Sequence, residues 1–135
     1  LRLLLLGVLV TLGVVFGQRT QLWWDLAVIG ALDLLAAVFC IPPADYRARL
    51  ARFDTVLGIG ELLGKPVREL SLGQRMRCDI AAALLHAPPV LFLDEPTSGL
   101  DVAVKLRIRD FIRAVNDEQG TTIILTRFST PRCLI

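Results

Sequence analysis

Four apolar residues run straight into two adjacent carboxylates where VLFL meets Asp94 and Glu95, and this feature limits the fold of the chain most tightly. The run has the length of a strand, and an unbroken apolar strand is the pattern of a central strand in a parallel sheet covered on both faces. A parallel neighbour can be reached only through a crossover, normally a helix of right-handed sense. The following sequence supplies one. Residues 102–118 place Val104, Ile108, Phe111, Ile112 and Val115 on one face, Gly120 is placed to stop the helix, and TTIILT at residues 121–126 is a β-branched strand. Strand, helix and strand in this order predict an α/β fold around a parallel sheet. Ligands of such sheets gather at the carboxyl ends of the strands, where Asp94 and Glu95 stand.

The remainder of the chain is read the same way. Its 135 residues are 54% apolar, enough for one domain or a piece of one. A net charge of +2 offers no basic field for nucleic acid, which is excluded as a partner. Cys40, Cys78 and Cys133 form no CxxC pair, so neither a zinc site nor a disulfide framework is expected, and a reducing, cytosolic setting fits. The apolar run at residues 3–17 is short of the roughly 20 residues of a membrane span and has no A-x-A cleavage site. It reads as buried strands over residues 8–12 and 14–16, with a membrane segment as the alternative. Because the sequence starts at Leu1, already inside that run, it is expected to be a fragment.

Residues 27–40 are apolar enough for a buried helix ended by Pro42 and Pro43. From Asp45, Tyr46, Leu50, Phe53 and Leu57 recur at helical spacing with Arg47, Arg49 and Arg52 opposite, an amphipathic pattern. Gly58, Gly60, Gly64 and Pro66 mark turns. Ser71 then caps a helix with Met76, Ile80 and Leu84 on its inner stripe, and Pro88 and Pro89 close it.

At a strand end, an aspartate can hold Mg²⁺ through water while a neighbouring acid orients or deprotonates an attacking water, as in nucleotide hydrolases. Asp94 and Glu95 suit those roles; a merely solvated Asp-Glu-Pro turn is the plain alternative. The surroundings favour the former. LSLGQR at residues 70–75 resembles the LSGGQ signature of ABC transporter ATPases, with leucine in the third place. VLFLDE at residues 90–95 is similar to their Walker B motif, SGLD at residues 98–101 to their D-loop, and VVFGQ at residues 14–18 to the strand and glutamine of their Q-loop.

The resemblance covers nearly the whole chain. It implies a partial P-loop NTPase domain, with a parallel sheet core and a helical subdomain. In that scheme residues 1–18 lead to the Q-loop, residues 19–70 form the helical subdomain, and residues 71–135 carry the signature helix, Walker B, D-loop and following strand. It further implies an ATP-binding subunit at the cytoplasmic face of a membrane, with ATP and Mg²⁺ as cofactors. Its partners would be a second cassette, bound head to tail, and a transmembrane permease. Likeness to the ABC-2 exporter group implies export. Glu95 would be the general base and Asp94 and Gln18 would stand near Mg²⁺, while Ser71, Gly73, Gln74, Gln18 and Asp101 would serve nucleotide binding. A small Gly73 and a hydroxyl at a helix N-terminus suit close approach to a phosphate.

Two features depart from the family pattern. No GxxxxGK[ST] phosphate loop occurs in the sequence, and the switch histidine would fall at Phe128, which cannot donate a hydrogen bond. His86, in the turn before Pro88, reads as a surface or packing residue. The tail TRFSTPRCLI also leaves the pattern. These departures set up the alternative, a truncated and catalytically inactive cassette acting as an interaction module. Trp23 and Trp24 read either as part of a permease contact surface or as packing residues.

Overall fold

The computed structural model describes residues 11–17, 19–97 and 99–126. Within them the VLFLD run is the middle strand, β2 (Val90–Asp94), of a three-stranded parallel sheet flanked by β1 (Leu12–Phe16) and β3 (Thr122–Thr126). Four helices fill the crossovers. α1 (Val28–Val38), α2 (Pro43–Leu57) and α3 (Leu72–Leu84) lie between β1 and β2, with two short 3-10 turns at Gly60–Leu62 and Val67–Glu69; α4 (Val102–Gln119) lies between β2 and β3. The α/β architecture is the one the sequence predicts. Of the two strands expected near the start, the one over residues 8–12 falls largely outside the described residues, and the other begins at Leu12.

Pairing of Leu12 with Val90 and of Val90 with Thr122 sets the register, so Phe16, Asp94 and Thr126 share one row at the carboxyl end. Alternation along the strands sends Gly13, Val15, Leu91 and Leu93 to one face, where all four are buried. α3 closes over that face, and its end approaches so tightly that a Cβ on Gly13 would lie 2.7 Å from the Ala83 carbonyl oxygen. The opposite row differs from expectation. Leu12, Phe16 and Ile124 remain 39%, 46% and 46% exposed, so among the described residues the sheet is covered by helices on one face, not both. An apolar run reports which surface avoids water and not which element covers it.

Local rules explain the helix ends. α1 stops before the prolines, in a Schellman turn: Ile41 N–H reaches the Ala36 carbonyl at 2.9 Å and Cys40 N–H the Ala37 carbonyl at 3.2 Å, with Cys40 in the left-handed region at φ 51°. α2 starts with Pro43 at its first position, where a missing N–H costs nothing, and ends at Gly58 with φ 64°. Arg77 of α3 donates to the Leu57 and Gly58 carbonyls at 2.9 and 3.3 Å, satisfying that end. α4 buries Ile108, Phe111 and Val115 and sets Phe111 edge-on against Phe53 of α2, with ring centroids 6.2 Å apart. Burial of such side chains contributes about 1.5–3 kcal/mol each. Arg52 and Glu118 pair across the same two helices. His86 stacks on Phe39 with centroids 4.2 Å apart, the packing alternative of the two roles left open by the sequence, and burial lowers its pKa.

One buried charge ties the helices to the loop after β1. Asp79 of α3 is 2% exposed, and its Oδ1 accepts the Thr20 hydroxyl at 2.7 Å and the Gln21 N–H at 3.1 Å. Burial pushes its carboxyl up to about 6, against the opposing pull of Thr20, Gln21 and Arg75. The folded-state value lies above the unfolded one, so the folded chain binds the extra proton as pH falls. Stability from this group is therefore full at low pH and is lost as pH rises from about 4 through about 6. Asp79→Asn, a neutral isostere, is expected to abolish that slope in urea midpoints measured between pH 4 and 7, and an unchanged slope would assign it to another group.

At the end of β1 the backbones nearly touch. A Cβ on Gly17 would lie 2.2 Å from the Glu95 carbonyl oxygen and 2.9 Å from that of Asp94. Gly17→Ala must push the strand ends apart and is expected to destabilise the chain by about 1–3 kcal/mol. Urea denaturation checks this; an unaltered midpoint would mean that the strand ends have room to spare.

Candidate functional site

Two groups of the residues marked out by sequence come together at separate places. The first is at the carboxyl end of β2. Asp94 is half-buried, and its Oδ1 accepts the Thr126 hydroxyl at 2.6 Å, which orients the carboxylate from the neighbouring strand. Its carbonyl accepts the Gly17 N–H at 2.7 Å, and Glu95 N–H reaches the Thr126 carbonyl at 3.2 Å. Three strand ends are thereby laced together around two acids. Glu95 turns the chain sharply, with a left-handed φ of 48°, just before the buried Pro96. Pro96 disfavours the right-handed helical region for the residue before it, and Glu95 departs from the extended region of the strand as well. Gln18, which follows Gly17, and Ser98 lie outside the described residues.

The second group is at the start of α3. Ser71 is the N-cap: its Oγ accepts the Gln74 N–H at 3.3 Å, and Gln74 Oε1 accepts the Ser71 N–H at 3.0 Å, a reciprocal capping box. Ser71 is exposed, so the first helical turn, whose N–H groups have no helical partner, faces outward with the positive end of the helix dipole. Gly73 leaves room for Val104 of α4, 3.5 Å from where a Cβ would be. Leu72, the residue at which the motif departs from LSGGQ, reaches over Gly99, where a Cβ would lie 3.2 Å from its Cδ2. Gly99 has φ 72°, a conformation that glycine adopts freely. Asp101 is exposed and caps α4 through its backbone alone, its carbonyl accepting the Lys105 N–H at 2.9 Å. The signature-like and D-loop-like segments are thus neighbours. The hydrogen bonds of Ser71 and Gln74 do not reach Asp94 or Glu95 among the described residues.

Asp94 offers a carboxylate with one oxygen engaged by Thr126 and the other left for a cation or its water. No group of three or more His, Cys, Asp or Glu side chains is gathered to hold a metal among the described residues. That donor set fits Mg²⁺, which is commonly bound by one or two carboxylates together with substrate phosphates.

Three contributors were not singled out from sequence. Asp79 could have been noticed as the lone acid in the apolar run CDIAAALL, on the buried side of the helix. Thr126 was read as a strand residue, and only the register reveals that its hydroxyl meets Asp94. Gly17 was read only as a member of a motif, and its steric role has no sequence signal. Trp23 and Trp24 are 47% and 48% exposed, and the Arg75 guanidinium lies 4.6 Å from the Trp24 ring centre. The position expected to replace a switch histidine, Phe128, lies outside the described residues.

Comparison with known proteins bears on the family and the fold. The family model for ABC transporters matches residues 10–98. The molybdenum import ATP-binding protein ModC of Bordetella pertussis is 37% identical over 118 residues, 87% of this chain and 31% of that protein. The daunorubicin/doxorubicin resistance ATP-binding protein DrrA of Streptomyces peucetius is 41% identical over 80 residues, 59% of this chain and 24% of that protein. The structure of cbiO1 from Clostridium perfringens, described as part of the ABC transporter complex cbiONQ, superposes with a TM-score of 0.77 at 32% identity, covering 93% of this chain and 50% of that one. The chain therefore spans at most half the length of these relatives. No helix among the described residues is long and apolar enough to cross a membrane. With the family model matching well over half of its length, this chain belongs to the ABC transporter family.

Proposed function

We propose that the chain supplies the signature, Walker B and D-loop portion of an ATPase that couples ATP hydrolysis to transport across a membrane, in the direction of export. The observation that carries the reading is the lacing of Asp94 and Glu95 to Gly17 and Thr126 at the carboxyl end of the sheet. A ligand of a parallel α/β sheet binds at that end.

In this reading Glu95, at the left-handed turn that ends the strand, takes a proton from the attacking water. Asp94, steadied by Thr126, and Gln18 stand toward Mg²⁺, which supplies charge neutralisation on the phosphates when bound. Ser71, Gly73 and Gln74 present the helix N-terminus to the terminal phosphate of ATP held by a second cassette, and Asp101 lies beside them at the same cassette interface. Residues 1–18 lead to the Q-loop, residues 19–70 form the helical subdomain, and residues 71–135 carry the remaining motifs. The exposed Trp23 and Trp24 suit contact with a transmembrane permease, and in this reading the chain works at the cytoplasmic face of the membrane. ATP and Mg²⁺ are the cofactors.

A second reading is an inactive cassette that docks partners without turnover, favoured by the absence of GxxxxGK[ST] from these 135 residues. Phosphate release measured with ATP and Mg²⁺ separates the two. An active ATPase is expected to lose at least about 100-fold of its rate in Glu95→Gln while still binding nucleotide. If the chain neither binds ATP nor releases phosphate, the inactive module is the correct reading.

A further inference from the structure

We propose that Arg75 and Asp79 clamp the loop after β1, residues 19–26, to the helix opened by Ser71, so that the two move as one unit, with Asp79 as the positioning residue. The two side chains are one helical turn apart on α3 and therefore share a face. Both meet the segment after β1. Asp79 Oδ1 accepts from the Thr20 hydroxyl and from Gln21 N–H, and the Thr20 oxygen in turn accepts the Leu22 N–H at 3.1 Å. Leu22, only 4% exposed, anchors that end of the loop in the core. Arg75 lies 4.6 Å from the Trp24 ring centre and also donates from Nη2 to the Leu70 carbonyl at 3.3 Å, one residue before Ser71.

Trp24 is further held by its carbonyl, which accepts the Arg68 N–H at 3.1 Å, and the neighbouring Leu26 carbonyl accepts the Val67 N–H at 3.0 Å. A displacement of the exposed Trp23 and Trp24 edge therefore reaches α3 by two routes, at its start through Arg75 to Leu70 and at its middle through Thr20 to Asp79. The capping box holds the helix start through Ser71 and Gln74 alone, and neither Arg75 nor Asp79 takes part in it through its side chain. The significance of this clamp for nucleotide chemistry rests on the roles proposed for Gln18 and Ser71. The mechanical link does not.

Amide hydrogen exchange of the 135-residue chain, without nucleotide, tests the link. Thr20→Val removes the hydroxyl and keeps the volume. It is expected to speed exchange at least about tenfold both in residues 19–26 and at Gln74 and Arg75, with residues 90–94 unchanged. Thr20→Ser is expected to restore the original rates. Arg75→Gln, which removes the stacking on Trp24 without entering the core, is expected to give the same pattern as Thr20→Val. Acceleration confined to residues 19–26, or shared equally by residues 90–94, overturns the proposal. Since no nucleotide is present, the outcome is independent of the turnover assay, and either reading can fail alone.

Discussion

Backbone rests on backbone where β1 ends against β2, and the arrangement of the acids depends on that contact. Gly17 is the residue that permits it, since its missing Cβ would occupy the space of the Glu95 carbonyl. The close approach lets Gly17 N–H bond to Asp94, while β3 sends the Thr126 hydroxyl to the same residue from the other side. Asp94 is thus oriented by both neighbouring strands, and neither its position nor that of Glu95 is left to a flexible loop. Hydrogen-bonded orientation of this kind is what a carboxylate requires before it can act on a bound group with defined geometry.

α3 is the second organising element, and its polar residues reach the end of α2, the loop after β1 and the helix's own start. Arg77 closes the carboxyl end of α2, Asp79 receives the loop after β1, Arg75 stacks on Trp24, and Ser71 with Gln74 closes the helix's own start. The apolar residues between them, including Met76, Ile80 and Leu84, hold the helix in the core. A hydrophobic stripe alone would allow the helix to slide or rotate at little cost. Directional contacts to two separate segments, the end of α2 and the loop after β1, fix its rotation and its position along the axis.

Much of this was legible from residues. Periodicity marked α2, α3 and α4, the apolar run before Asp94 marked β2, and Ser71 marked a helix start, because each of these signals is a local expression of burial or capping. Other features required three dimensions. The end of α1 is made by Cys40 in a conformation usually taken by glycine, and nothing in the sequence distinguishes that cysteine from its neighbours. The exposed face of the sheet could not be read, since Phe16 and Ile124 look no different in sequence from Val15 and Leu93. Contacts between residues far apart in the chain, such as Thr20 with Asp79 and Thr126 with Asp94, depend on register and crossover geometry that single-sequence patterns do not encode.

The backbone at Glu95 has a thermodynamic consequence of its own. A left-handed φ is uncomfortable for any residue with a Cβ, at a cost of order 1 kcal/mol, whereas glycine takes it freely. Asparagine would also sit there more easily than glutamate. The position is therefore filled by a side chain that the local backbone disfavours, and the fold carries that deficit in its net stability. Aspartate, which also visits this region, would keep a carboxylate but draw it back by one methylene, so full relief of the deficit, as with glycine, gives up the acid at this reach.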